Sequence, residues 1–187
     1  MTHIKIVPFD KNWQSEYLKI EAKLKSILKT SIIRIDHIGS TSVKDLSAKD
    51  IIDVQITVDN LQQPNLIDAL VAENFEYFKQ ANCDNLVGVE SDCVELKKLF
   101  FKYQSNKIVH VHVREKNRLN QCYPILFRDY LRANPKARLA YEKIKKELAW
   151  RFEFDATAYY AIKDPVMDGI YYSAQIWAKS VGWQLDN

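Results

Sequence analysis

Three short stretches of the chain carry the residue types that phosphate and metal chemistry uses. The first is Gly39-Ser40-Thr41-Ser42, which follows the strand-like run Ile32–Ile38. Glycine lets backbone approach a phosphate with no Cβ in the way, and successive amides in a turn form an anion-binding concavity. Gly39, Ser40, Thr41 and Ser42 are therefore candidates for a phosphate-binding turn. The same four residues also suit an ordinary strand-ending turn or a helix cap, and a Gly-Ser pair alone does not separate these readings.

The second stretch is Ile51–Val58, with Asp53 and Gln55 inside an otherwise apolar run. Side chains alternate along a strand, so Asp53 and Gln55 share a face. A carboxylate there is costly to bury unless a metal ion or a partner satisfies it. A carboxylate beside a phosphate-binding turn can hold a divalent cation against the phosphate, the arrangement of nucleotidyl transfer. The carboxylate expected two residues after Asp53 is replaced by Gln55, which offers only a neutral oxygen.

The third is Ile108-Val109-His110-Val111-His112-Val113-Arg114. Val109, Val111 and Val113 face one way, and His110, His112 and Arg114 the other. A strand rises ~3.3 Å per residue, so the two imidazoles root ~7 Å apart and can reach one ion or line one pocket. Asp53, Gln55, His110 and His112 are the candidate metal ligands, with Asp53, His110 and His112 also candidates for catalysis. Lys49 and Arg114 could neutralise phosphate charge. Lys163 could contact a phosphate, although an ordinary surface lysine is the stronger reading. Lys97-Lys98 and Lys143–Lys146 read as solvated faces.

These stretches need elements to position them. Residues 4–9 read as a short strand or extended arm, and Asp10 can cap the helix that follows. Trp13, Tyr17, Ile20, Leu24, Ile27 and Leu28 recur at helical spacing. Strands are expected at Ile32–Ile38, Ile51–Val58 and Phe75–Lys79, with a short helix over Pro64–Asn74. Val94–Tyr103 and Lys107–Arg114 flank Gln104-Ser105-Asn106 as a hairpin. Beyond them the chain reads as helices: Tyr123–Ala133, Pro135–Phe152, Asp155–Lys163 and Pro165–Lys179. The fold class is α+β: a mixed sheet flanked by helices over about residues 1–116, then a helical C-terminal part over about 117–187, forming a single domain.

Composition sets outer limits. The 187 residues are 47% hydrophobic and 27% charged, and the formal net charge is +3 with both signs dispersed. That charge is too small and too scattered to indicate a nucleic-acid surface. No run approaches the ~18 apolar residues that cross a bilayer, and MTHIKIVPFDKNW lacks the pattern of a signal peptide. Cys83, Cys93 and Cys122 form no CxxC pair, and an odd, scattered set fits a reducing cytoplasm.

Taken together in order, several stretches resemble the GrpB family. They are Val7-Pro8-Phe9-Asp10 with Trp13, Ile35–Val43, Ala48-Lys49 with Ile51-Ile52-Asp53, and His110–Val113. Leu126–Arg132 with Pro135, and Tyr160 with Lys163, complete the set. The resemblance departs where Lys44-Asp45 replace a common Pro-Gly and where Asp50 replaces a proline. It implies a nucleotidyltransferase-like mixed sheet, with the Gly39-Ser40 turn and Asp53 at that superfamily's active-site positions. Because some members occur fused to dephospho-CoA kinase, it also implies an association with coenzyme A metabolism.

The expected activity is a divergent metal-dependent nucleotidyltransferase, passing a nucleoside monophosphate from a triphosphate to a hydroxyl of a small molecule or protein. The expected cofactor is a divalent ion, Mg or Mn, with a transition metal as the alternative that histidine ligands favour. The expected ligand is a nucleotide or phosphorylated small molecule. Two alternatives stay open: a non-catalytic binding module with the same fold, and an interaction protein docking a partner enzyme through its C-terminal helices.

Overall fold

The computed structural model describes residues 3–90 and 92–185. Helix α1 (Asn12–Leu28) leads into strand β1 (Arg34–Ile38), a single 3-10 turn over Ser40–Ser42, and strand β2 (Ile51–Val58). Helix α2 (Leu66–Ala72), strand β3 (Glu76–Tyr77), strand β4 (Leu99–Gln104) and strand β5 (Ile108–Glu115) follow. Helices α3 (Leu119–Ala133), α4 (Pro135–Arg151) and α5 (Ala156–Val181) complete the fold.

The five strands form one mixed sheet in the order β1-β2-β5-β4-β3. β2 and β5 pair in parallel at its centre, and the other neighbours are antiparallel. The expected β4–β5 hairpin is present, although Val94–Leu96 forms a short 3-10 turn instead of the start of β4.

Strand alternation gives the sheet two unlike faces. Ile52, Val54 and Ile56 of β2 and Val109, Val111 and Val113 of β5 are buried in one cluster with Trp13, Tyr17, Ile20, Leu24 and Leu28 of α1 and Leu66 and Leu70 of α2. Each such side chain, fully buried, contributes ~1.5–3 kcal/mol. The opposite face presents Asp53, Gln55, His110, His112 and Arg114. It cannot be covered by a simple apolar layer, so the C-terminal helices roof it incompletely and leave a cleft.

Those helices pack mainly on one another. Leu126, Phe127 and Leu131 of α3, Tyr141 of α4, and Tyr171, Ala174 and Ala178 of α5 share a second cluster. The boundary expected at Asp164-Pro165 is absent, and α5 runs unbroken through Pro165. Proline disfavours helix in the residue before it. Here Tyr159 is buried upstream against Leu148 and Ala149, and Tyr171, Ala174 and Ala178 are buried downstream, so packing on both sides overrides that local preference. Helix α3 likewise begins four residues before the expected Tyr123, with Pro124 inside it.

Candidate functional site

The cleft lies between the polar sheet face and helices α3, α4 and α5, with a volume of about 480 Å³. Its floor is set by register. Asp53 pairs with His110 across the parallel β2–β5 ladder, and Gln55 pairs with His112. Asp53 Oδ1 lies 3.4 Å from His110 Nδ1 and 4.0 Å from His112 Nε2. Strand alternation thus brings the expected carboxylate and both histidines together.

One edge is the turn after β1. Gly39 has φ +70°, and a Cβ built on it would fall 2.4 Å from Asp53 Oδ2. Glycine is therefore required twice, by the backbone angle and by the nearness of the carboxylate. Arg128 Nη1 donates to His37 O at 3.0 Å, and Arg132 Nη2 donates to Ser42 O at 2.7 Å. Two arginines one turn apart on α3 thus hold the turn at both ends. Beneath it, Thr41 donates its hydroxyl to Ile51 O, so His37 donates from Nε2 to Thr41 Oγ1. Burial, followed by the Arg132 and Arg128 charges, lowers the His37 pKa to about 4, against the pull of Asp53. His37 is a neutral structural group.

The expected phosphate contacts divide. Gly39, Ser40, Thr41, Lys49, Arg114 and Lys163 line the cleft. Ser42 does not, because its hydroxyl donates to Gly39 O at 2.6 Å and closes the turn. The Thr41 hydroxyl is also engaged, which leaves Ser40 as the side chain of this turn that addresses the cleft. Arg114 is committed elsewhere: Nε donates to Asp84 Oδ2 at 2.9 Å and Nη1 to Gln55 Oε1 at 2.8 Å.

Gln55 is the clearest departure from expectation. It is fully buried, its oxygen accepts from Arg114, and its amide donates to Gln121 O at 2.9 Å. Its place in the metal-ligand set is not supported by this geometry. Asp84 is equally occupied, 2.5 Å from Lys98 Nζ and bonded to Arg114. Burial alone would raise the Asp84 carboxyl, but the Arg114 and Lys98 charges outweigh it and hold the group well below the usual carboxylate range. His112 receives Arg114 Nη2 on Nδ1 at 3.4 Å, which directs its Nε2–H toward Asp53. Burial, then Arg114 and Lys98, keep that ring neutral.

No lysine or arginine among the described residues is bonded to Asp53, and its neighbours are the His110 and His112 imidazoles. Among the described residues, no group of three or more His, Cys, Asp or Glu side chains is disposed to hold a metal ion. A pair of magnesium ions needs several hard, mostly charged oxygens. The residues present do not fit that group.

Two lysines that the sequence pattern assigns to solvated faces belong to the site. Lys98 is one, through Asp84. Lys145 of α4 is the other: it is 3% exposed, and Nζ donates to Ser47 O at 2.6 Å and to Ser40 Oγ at 2.9 Å. Burial, followed by the nearby Lys163 charge, lowers its pKa to about 7. The signal was present in the sequence, since Tyr141, Lys145, Leu148 and Ala149 share one helical face. Lys49 donates to the Tyr160 hydroxyl and lies 4.6 Å from the centre of that ring, with Lys163 5.3 Å from the same ring. Lys163 pairs with Asp164, whereas neither Lys49 nor Lys145 is ion-paired with a carboxylate among the described residues.

Comparison with known proteins agrees with this architecture. The family model described as GrpB protein matches residues 3–173. A glutamate-rich protein GrpB from Alkalihalophilus pseudofirmus is 31% identical over 166 residues, covering 88% of this chain and 92% of that one. A dephospho-CoA kinase from Mycolicibacterium paratuberculosis is 30% identical over 97% of this chain, but the match takes in only 48% of that protein. The chain thus spans about half the length of such kinases. Conserved protein GrpB from Enterococcus faecalis superposes with a TM-score of 0.74 at 26% identity, over 92% of this chain and 99% of that one. A cytoplasmic RNA terminal U-transferase gives 0.51 at 16% identity, over 80% of this chain and 43% of that one, a likeness of fold alone. With a family model matching residues 3–173 and a GrpB relative 31% identical over most of both chains, this chain belongs to the GrpB family.

Proposed function

We propose that the cleft binds the phosphate groups of a nucleotide or another phosphorylated small molecule. The observation that carries this reading is the convergence of Lys145 and Lys49 on the Ser40 side of the cleft without a carboxylate paired to either. A phosphate accepts N–H hydrogen bonds from both amines, and its charge offsets the crowding of positive charge in a partly enclosed site. The Gly39–Thr41 turn supplies close backbone approach, Ser40 a hydroxyl, and Lys163 a third cation at the rim. The aromatic rings of Phe100 and Tyr160 line the cleft and offer flat apolar surface to a base. The naming of relatives as dephospho-CoA kinases makes a coenzyme A-related phosphate a reasonable ligand to include among those tested.

A second reading, transfer of a nucleoside monophosphate to a hydroxyl, is favoured by one observation. Asp53 remains 27% exposed in its side chain, beside Gly39 and within reach of His110. In this reading Asp53 and His110 serve as an acid–base pair beside the turn. No divalent ion is needed for the binding reading. The experiment is a thermal-denaturation screen of nucleoside triphosphates and coenzyme A precursors, each with magnesium and with chelator. Stabilisation by a phosphorylated ligand supports the site, and release of pyrophosphate dependent on Asp53 supports transfer.

A further inference from the structure

Ser40 and Lys145 meet in a way that phosphate binding alone does not require. A lysine that only attracts an anion needs its charge and no hydroxyl partner, and Lys49 and Lys163 line the cleft without touching a serine. Lys145 is instead buried, fixed by Ser47 O, and set 2.9 Å from the hydroxyl of the residue in this turn whose side chain addresses the cleft. A hydroxyl against a buried amine, in a cleft open to ligand, is the arrangement of an activated nucleophile and its base.

We infer that Ser40 is a nucleophile, that Lys145 is its general base, and that the electrophile is the α-phosphorus of a nucleoside triphosphate bound in the cleft. The inference rests on the phosphate-binding reading of the site. In the step, neutral Lys145 keeps one N–H on Ser47 O and takes the Ser40 proton on its lone pair. Ser40 Oγ forms a bond to phosphorus, the bond from phosphorus to the bridging oxygen breaks, and pyrophosphate leaves. Lys49 and Lys163 offset the charge on the leaving group. The product is a nucleotidyl ester on Ser40, which an acceptor hydroxyl or water then resolves.

The surroundings of Lys145 favour the neutral amine near neutral pH. Lys163 of α5, Lys49 from the segment before β2 and Lys146 of its own helix disfavour its charge, and Glu142 favours it, with Asp53 and Asp164 the other carboxylates that line the same cleft. Glu142 is itself drawn off, since it pairs with Lys146 at 2.7 Å and accepts from Ser47. Tyr141, one turn before Lys145, lies under its Nζ at 4.8 Å, shares a hydrogen bond with Ser40 and is kept protonated by burial. It adds no negative charge.

The test incubates the full chain with each of the four common ribonucleoside triphosphates, in chelator and in magnesium, and reads two signals. Thermal stabilisation reports binding, and intact mass with peptide mapping reports an adduct on Ser40. The expected result is stabilisation with at least one nucleotide and a nucleotidyl adduct on Ser40, absent in Ser40→Ala. Formation should rise with pH around a midpoint near 7 in the wild type. Lys145→Met, which keeps length and removes the amine, should slow the adduct at least tenfold while retaining a cooperative unfolding transition. Stabilisation without an adduct under any condition overturns the covalent step and leaves the binding reading standing. No stabilisation and no adduct overturns both. An adduct that forms equally fast in Lys145→Met overturns the role of Lys145.

Discussion

Gly39 and Asp53 stand so close that a single methyl group on Gly39 would collide with the Asp53 carboxylate, its Cβ falling 2.4 Å from Oδ2. The turn after β1 and the carboxylate are thus one unit, built by the Ile38–Asp53 pairing of β1 with β2. Gly39→Ala should destabilise the protein by more than ~2 kcal/mol, since a φ of +70° with extended ψ is a region only glycine occupies readily. Chemical denaturation measures this. Wild-type stability in the variant would show that the turn is not built as described.

Arg114 joins Asp84 and Gln55 beneath the cleft, and it is 5% exposed. Arg114→Met should cost ~1.5–3 kcal/mol, because it removes charge-assisted bonds to Asp84, which keeps Lys98, and leaves the buried Gln55 Oε1 without its donor. Arg114→Lys should recover only part, since one ammonium cannot reproduce the guanidinium fork. In a double-mutant cycle with Asp84→Asn the two losses should be clearly less than additive. Additive losses would mean that the pair acts separately.

His37 gives the protein an acid sensitivity of known sign. Its folded pKa of about 4 lies below the ordinary 6.5. Between those values the unfolded chain binds more protons than the folded one, so stability falls as pH drops through 6.5 and levels off from this source near 4. His37→Gln, measured by urea denaturation from pH 7 to 4, should flatten that slope. An unchanged slope would assign the sensitivity to other groups.

Lys145 carries the opposite end of the pH range. Its folded pKa of about 7 lies below the usual 10.5, so its contribution to stability should improve as pH rises from 7 toward 10. Lys145→Met should remove that rise. At pH 7 the variant should match the wild type or exceed it by up to ~2 kcal/mol, because a buried charge has been replaced by an apolar side chain of similar length. A loss of stability would mean that the ammonium is better solvated than its surroundings indicate.

Much of this arrangement is legible in the sequence, and the illegible parts share a cause. Strand alternation alone places Asp53, His110 and His112 on one face, because period-2 geometry holds whatever packs above it. Alternation also places Gln55 and Arg114 there, but it cannot say that they satisfy each other. That depends on Asp84, which arrives from a loop between β3 and β4. The same limit hides Lys145. Its helix is charged nearly all round, so its buried face is marked by little beyond Tyr141, Leu148 and Ala149. Arg128 and Arg132 look like surface residues until α3 is seen lying across the turn they hold. Pro165 misleads for the converse reason: a local preference is real, and packing at Tyr159 and Tyr171 overrides it.

If Ser40 and Lys145 form part of a phosphate site, nucleotides should stabilise the chain through both side chains. This is tested most directly by thermal denaturation of wild type, Ser40→Ala and Lys145→Met with nucleoside triphosphates in chelator. A ligand at a hundredfold its dissociation constant adds ~2.7 kcal/mol of stability. The account predicts a rise in melting temperature for the wild type with at least one nucleotide, and a smaller rise or none in both variants. A wild type that no triphosphate stabilises, or variants stabilised as strongly as the wild type, would contradict it.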